Sequence, residues 1–121
     1  MREEVQVIMA SKVLTLDQKK TKMHDTFEAT IRLLRHSAPF QVLAGLMKAA
    51  GDIFMDMKDV QRAIFAYKNL KNVCEEELMS KEKMFVYGQL GYCYRLLRAH
   101  AVAADYFKKQ LELAWELKNR Q

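Results

Sequence analysis

The 121-residue sequence predicts an all-α fold of three antiparallel helical hairpins, and three observations predict it. One proline and four glycines leave little material for β-turns, while Lys, Glu, Leu, Ala, Met and Gln dominate, all of them good helix formers. Apolar residues recur at helical spacing in stretches separated by short polar breaks. The chain also matches itself when slid by forty residues, a period long enough for two helices. At this length, with 50% hydrophobic residues, one domain with a modest core is expected.

The first unit, residues 1–39, is expected to hold helices near 3–14 and 18–36. Its polar break is "TLDQKK", where Thr15 and Gln18 have the spacing of a capping box. The second unit, 40–79, reads as helices near 40–55 and 59–77, broken at "MDMKD" around Asp56 and closed by the acidic turn of Glu75, Glu76 and Glu77. The third, 80–119, reads as helices near 80–97 and 101–118, broken at "RLLRAH", which ends at His100. A helix of about 17 residues is roughly 25 Å long, so each hairpin is a slab too thin to bury its own faces. Stacking of hairpins must bury them.

The forty-residue match names the residues that carry the packing. Gly91 falls on Gly51 and Ser11, Tyr94 on Phe54 and Leu14, and Phe107 on Tyr67 and Phe27, an aromatic in every copy. Leu90 falls on Ala50 and Ala10, Tyr87 on Met47 and Val7, and Ala103 on Ala63 and Met23. A glycine in mid-helix costs about 1 kcal/mol relative to alanine. Close approach of the second helix is the expected compensation, with Ala63 and Ala103 as its matching small surface.

Tyr87, Leu90, Gly91, Tyr94, Ala103 and Phe107 together resemble the tetratricopeptide repeat family. The second copy keeps Gly51, Phe54, Ala63 and Tyr67 but has Met47 and Ala50 where the family prefers larger residues; the first matches least. The family's closing proline is absent, with Glu75 and Trp115 near its place, and the period is forty rather than about thirty-four. Repeats of this length are similar to those of the Pins/LGN polarity scaffolds and of rapsyn. Leu97, Leu111 and Ala114 also follow their pattern, and Asn119-Arg120 stands at the place of their turn.

The resemblance implies one domain over 1–121, a right-handed α-solenoid whose first helices line a concave groove for an extended peptide or a partner helix. Carried over position by position, the groove takes Lys48, Asp52 and Met55 from the second unit and Phe85, Gly88, Tyr92 and Arg95 from the third. Ile8 and Lys12 are its counterparts in the first unit. Cations around apolar and aromatic surface suit a partner with acidic and apolar residues. The family's clamp for chaperone C-termini uses asparagines between its lysines; Asp52 stands in such a place, which argues against that subclass.

The expected function is therefore a non-enzymatic protein-interaction scaffold. The alternative is a basic helical module for RNA or an acidic polymer surface such as tubulin tails, given the net charge of +5. Nucleic acid is the weaker partner class, because the aromatics serve the repeat instead of standing free to stack on bases. The last helix, "AVAADYFKKQLELAWELK", carries Phe107, Leu111 and Trp115 where a solenoid normally ends in a polar cap. This implies a fragment of a longer array or an open end that meets a partner, self-association included.

No catalytic or metal set emerges, and no cofactor is expected. His24, His36 and His100 are spread over different units, and adjacent residues such as His24 and Asp25 diverge on a helix. Cys74 and Cys93 sit among apolar residues in helical stretches and read as packing thiols of a reducing, cytoplasmic compartment, with the cytoskeleton as a candidate setting. Met47, Met55, Met57, Met79 and Met84 suit either core filling, the ordinary use, or an adaptable binding surface. "MREEVQVIMASKVLTL" has no uninterrupted apolar core or cleavage site, and charges recur too often elsewhere for a membrane span.

Overall fold

The computed structural model describes residue 8 and residues 15–119, which contain five helices and no strand. They are α1 (Leu16–Leu34), α2 (Phe40–Asp56), α3 (Val60–Glu76), α4 (Ser80–Leu96) and α5 (His100–Asn119). Each end lies within two residues of its expected place. The helix expected over 3–14 lies outside the described residues, except that Ile8 is helical and half-buried. The chain divides into two compact units, residues 1–43 and 44–121.

In the first unit, α1 begins at the expected capping box. The Gln18 backbone N–H donates to Thr15 Oγ1 at 3.1 Å, and the Thr15 N–H donates to Gln18 Oε1 at 3.0 Å, so two donors at the helix start are satisfied reciprocally. The helix buries Met23 and Phe27, one turn apart. It stops before Pro39, which disfavours helical geometry in the residue preceding it and then opens α2 by accepting from Val42 N–H at 3.0 Å.

The second unit repeats one kind of turn. Lys58, Leu78 and Arg98, twenty residues apart, adopt φ of 62°, 55° and 61°. At the first, Asp59 N–H donates to Phe54 O at 2.8 Å and Lys58 N–H to Met55 O at 3.0 Å. At the third, Ala99 N–H donates to Tyr94 O at 2.9 Å and Arg98 N–H to Arg95 O at 3.0 Å. Met79 N–H to Cys74 O, 3.0 Å, marks the same closure in the second. These are Schellman closures, which satisfy orphan carbonyls at a helix end but place a residue in the left-handed region, where glycine is usual. The residue after each turn at once starts the next helix, and Asp59 caps α3 by accepting from Arg62 N–H at 3.2 Å.

Contacts give the directions of the helices. Gln110 of α5 reaches Met84 of α4, whereas Phe107 lies over Gly91 and Tyr106 over Tyr94, so α4 and α5 run antiparallel. Between α2 and α4, Lys48 meets Phe85 and Met55 meets Cys93, so these two run parallel. Beneath them Phe54, Ala63, Ala66, Tyr67, Leu70 and Leu90 are almost wholly buried.

The glycines pack differently from expectation. A Cβ on Gly51 would lie 2.7 Å from Tyr67 Cδ1, and one on Gly91 would lie 2.8 Å from Phe107 Cε1. The space of the missing side chain is thus filled by the aromatic ring of the second helix, not by Ala63 or Ala103. Those alanines are buried as well, but a residue 12 positions after each glycine lies one turn short of the ring 16 positions after it. Tyr67 is further held by its hydroxyl, which donates to Asp52 Oδ1 at 2.5 Å.

Candidate functional site

The groove residues carried by α2 and α4 fall into two groups. In the first, Lys48 Nζ lies 3.0 Å from Asp52 Oδ2 and 4.9 Å from the centre of the Phe85 ring, which meets Tyr67 edge-on with centroids 6.5 Å apart. The Cys93 thiol donates to Met55 Sδ at 3.6 Å. Lys48, Asp52 and Phe85 are therefore one linked patch across two parallel helices, and Met55 meets α4 separately, through Cys93. Asp52 is committed within it, one carboxylate oxygen to Tyr67 and the other to Lys48. What the patch offers a ligand is the ammonium on an aromatic ring.

The second group is Tyr92 and Arg95 on α4, where the guanidinium lies 5.3 Å from the Tyr92 ring centre and the ring is 40% exposed. Tyr92 follows Phe85 by seven residues, about 10 Å along the helix at 1.5 Å per residue. Gly88 does not belong with them. The space beside it holds the Gln110 amide of α5, whose Nε2 donates to Met84 O at 3.2 Å, so Gly88 turns into the hairpin. Lys12 lies outside the described residues.

A third cluster, which the periodicity does not reveal, lies around the other side of α4. Tyr94 and Tyr106 stack at 5.7 Å with 8° between their planes, and Tyr87 lies 6.3 Å from Tyr106. Lys68 lies 5.6 Å from the Tyr94 ring centre, and Lys109 lies 5.4 Å from that of Tyr106. Hydrogen bonding to the Tyr94 hydroxyl raises the Lys68 pKa. Tyr87 donates to Glu75 Oε1 at 3.2 Å, and burial, with the Glu75 charge next, pushes its hydroxyl up to about 12. Tyr87 and Tyr94 are seven apart and share a face, a visible signal; that Tyr106 inserts between them depends on tertiary packing.

Both thiols are free and fully buried, as their apolar neighbours imply, and burial pushes each up to about 11. Neither is a thiolate at neutral pH, so neither is activated as a nucleophile. Among the described residues no three His, Cys, Asp or Glu side chains gather to hold a metal, and no helix is long and apolar enough to cross a membrane. On α5, Leu111 and Trp115 stand one turn apart with 71% and 68% exposure.

Fold and site together define a class: the described residues form helices in antiparallel hairpins that carry cation-on-aromatic pairs and an open apolar helix face. No protein-family model, curated protein or solved structure matches the chain.

Proposed function

We propose that this chain is a non-enzymatic interaction scaffold of the tetratricopeptide-repeat kind, a right-handed solenoid that binds a partner's peptide or helix in the groove of α2 and α4 or through the open face of α5. The observation that carries the groove reading is the pairing of Lys48 with Phe85 across two parallel helices, continued by Tyr92 and Arg95 two turns along α4. Each pair offers a cation beside apolar area, the combination that an acidic and apolar segment fills. Tyr92 is half-exposed, rigid and aromatic, the profile of an interface anchor.

The test is a double variant of this chain, Lys48→Glu with Tyr92→Ala, measured as a purified pair with a partner first captured by the intact chain. Binding should weaken by about 2 kcal/mol or more, the scale of hot spots, with the thermal melt nearly unchanged because both side chains are exposed. Unchanged affinity would remove the groove reading. One observation favours a second reading, an acidic-polymer surface: the ammonium groups of Lys68 and Lys109 rest on the tyrosine cluster away from the groove. If reversal of those two charges abolished binding while the groove variant did not, that reading would replace the first.

A further inference from the structure

The internal repeat describes what belongs on the exposed face of the last hairpin. On the hairpin before it, α4 lies against α2 and α3 through side-chain contacts: Phe85 meets Lys48 and Tyr67, Cys93 meets Met55, and Tyr87 meets Glu75. Forty residues further on, those receiving positions are Gly88, Phe107, Arg95 and Trp115. The edge of the earlier interface is polar, since Lys71 pairs with Glu75 at 3.5 Å and Glu75 accepts from Tyr87. The same two positions on α5 are Leu111 and Trp115, apolar and open to solvent. The face is therefore not a solvated copy of α3. Phe107 and Arg95 stand at the places of Tyr67 and Met55, an apolar edge replaces the ion pair, and Gly88, at the place of Lys48, is turned into the hairpin.

We propose that the outer face of the α4/α5 hairpin receives a helix of a partner protein, laid as α4 lies on α2 and α3. That helix carries an apolar residue against Trp115 and, six residues later, an acidic residue against Arg95. The spacing comes from Tyr87 and Cys93, which occupy the corresponding places on α4. The chemistry comes from the two exchanges: Glu75 becomes Trp115, so a hydroxyl gives way to an apolar group, and Met55 becomes Arg95, so a thiol gives way to a carboxylate. A second copy of this chain is the poorer occupant, because its own helix of this type is already covered, with Val86, Leu90 and Cys93 all at 0% exposure. The inference rests on the end-binding half of the proposed function; it shares Arg95 with the groove reading but uses none of Lys48, Phe85 or Tyr92.

Trp115 is the chain's single tryptophan, so its emission reports this face directly. The probes are two helical peptides of residues 80–98, stapled on the outward side, both with Tyr87→Leu and with either Cys93→Glu or Cys93→Lys. Titrated into the full chain, the Glu peptide should shift Trp115 emission to shorter wavelength and bind at least tenfold more tightly than the Lys peptide. Arg95→Glu should reverse that preference, and Arg95→Gln should abolish it without reversing it. Lys48→Glu should leave the response intact, so failure of the groove reading would not disturb this result. Equal affinity for the two peptides, or no emission shift with either, would overturn the proposal. So would an emission shift that follows chain concentration alone with a dimer in sedimentation, since a second copy would then cover the face.

Discussion

The four glycines meet four different surroundings, and the surroundings decide what one added methyl does. Gly45 has nothing within 4 Å, so Gly45→Ala should raise stability by about 0.5–1 kcal/mol through helix propensity alone. Gly51→Ala places a carbon against Tyr67, whose ring is 1% exposed and tethered to Asp52, and should cost about 1–3 kcal/mol. Gly91→Ala should cost less, since Phe107 is only half-buried and its ring can turn, but Gly91→Leu should again cost about 1–3 kcal/mol. Urea melts of the four variants check the order; a neutral Gly51→Ala would refute the account of ring against glycine. The buried thiols add a pH dependence. Folding raises Cys74 and Cys93 from 9.0 to about 11, so between those values the folded state holds more protons than the unfolded one. The thiols' contribution should be constant below about pH 9 and fall as pH rises towards 11, joined above about pH 10 by that of the Tyr87 hydroxyl, so Cys93→Ala with Cys74→Ala should flatten the fall between about pH 9 and 10 in alkaline melts.

At the scale of the element, the helix ends carry the information. Three turns place Lys58, Leu78 and Arg98 at positive φ, which costs an L-residue about 1 kcal/mol or more relative to glycine. Leu78 is 78% exposed and little packing is lost with it, so Leu78→Gly should stabilise the chain by about 0.5–1 kcal/mol in denaturant melts. Thr15→Ala should do the opposite, by about 1 kcal/mol, by opening the capping box. The two kinds of end differ in legibility. A capping box is written in residue types at fixed spacing, so Thr15 and Gln18 announce it; a Schellman turn built on lysine, leucine and arginine has no glycine to mark it, and only its twenty-residue recurrence betrays it.

At the scale of the molecule, the two functional readings predict different responses to salt. A groove anchored by Phe85 and Tyr92 buries apolar area, so a partner held there should lose affinity gently as ionic strength rises. A polyanion held by Lys68 and Lys109 should lose it steeply, with a log–log slope that grows by roughly one for each cation engaged. A binding titration from about 50 to 200 mM salt separates them. A steep slope that flattens on reversing Lys68 and Lys109 would favour the polymer surface over the groove.

The sequence by itself determined where the five described helices start and stop and much of what the core buries, although Tyr94 and Phe107 are only half-buried, because propensity, capping and apolar period act within a few residues of one another. Phe54, Tyr67, Leu90, Cys74 and Cys93 were all readable as core from that period. Only the tertiary structure decided the partners. It laid Tyr67 and Phe107 over the glycines, gave Asp52 to the Tyr67 hydroxyl, turned Gly88 towards Gln110, and gathered Tyr87, Tyr94 and Tyr106 from two helices into one cluster. A helical period fixes the face on which a side chain stands; which group meets it there depends on the offset and rotation of the neighbouring helix, set jointly by every contact along both.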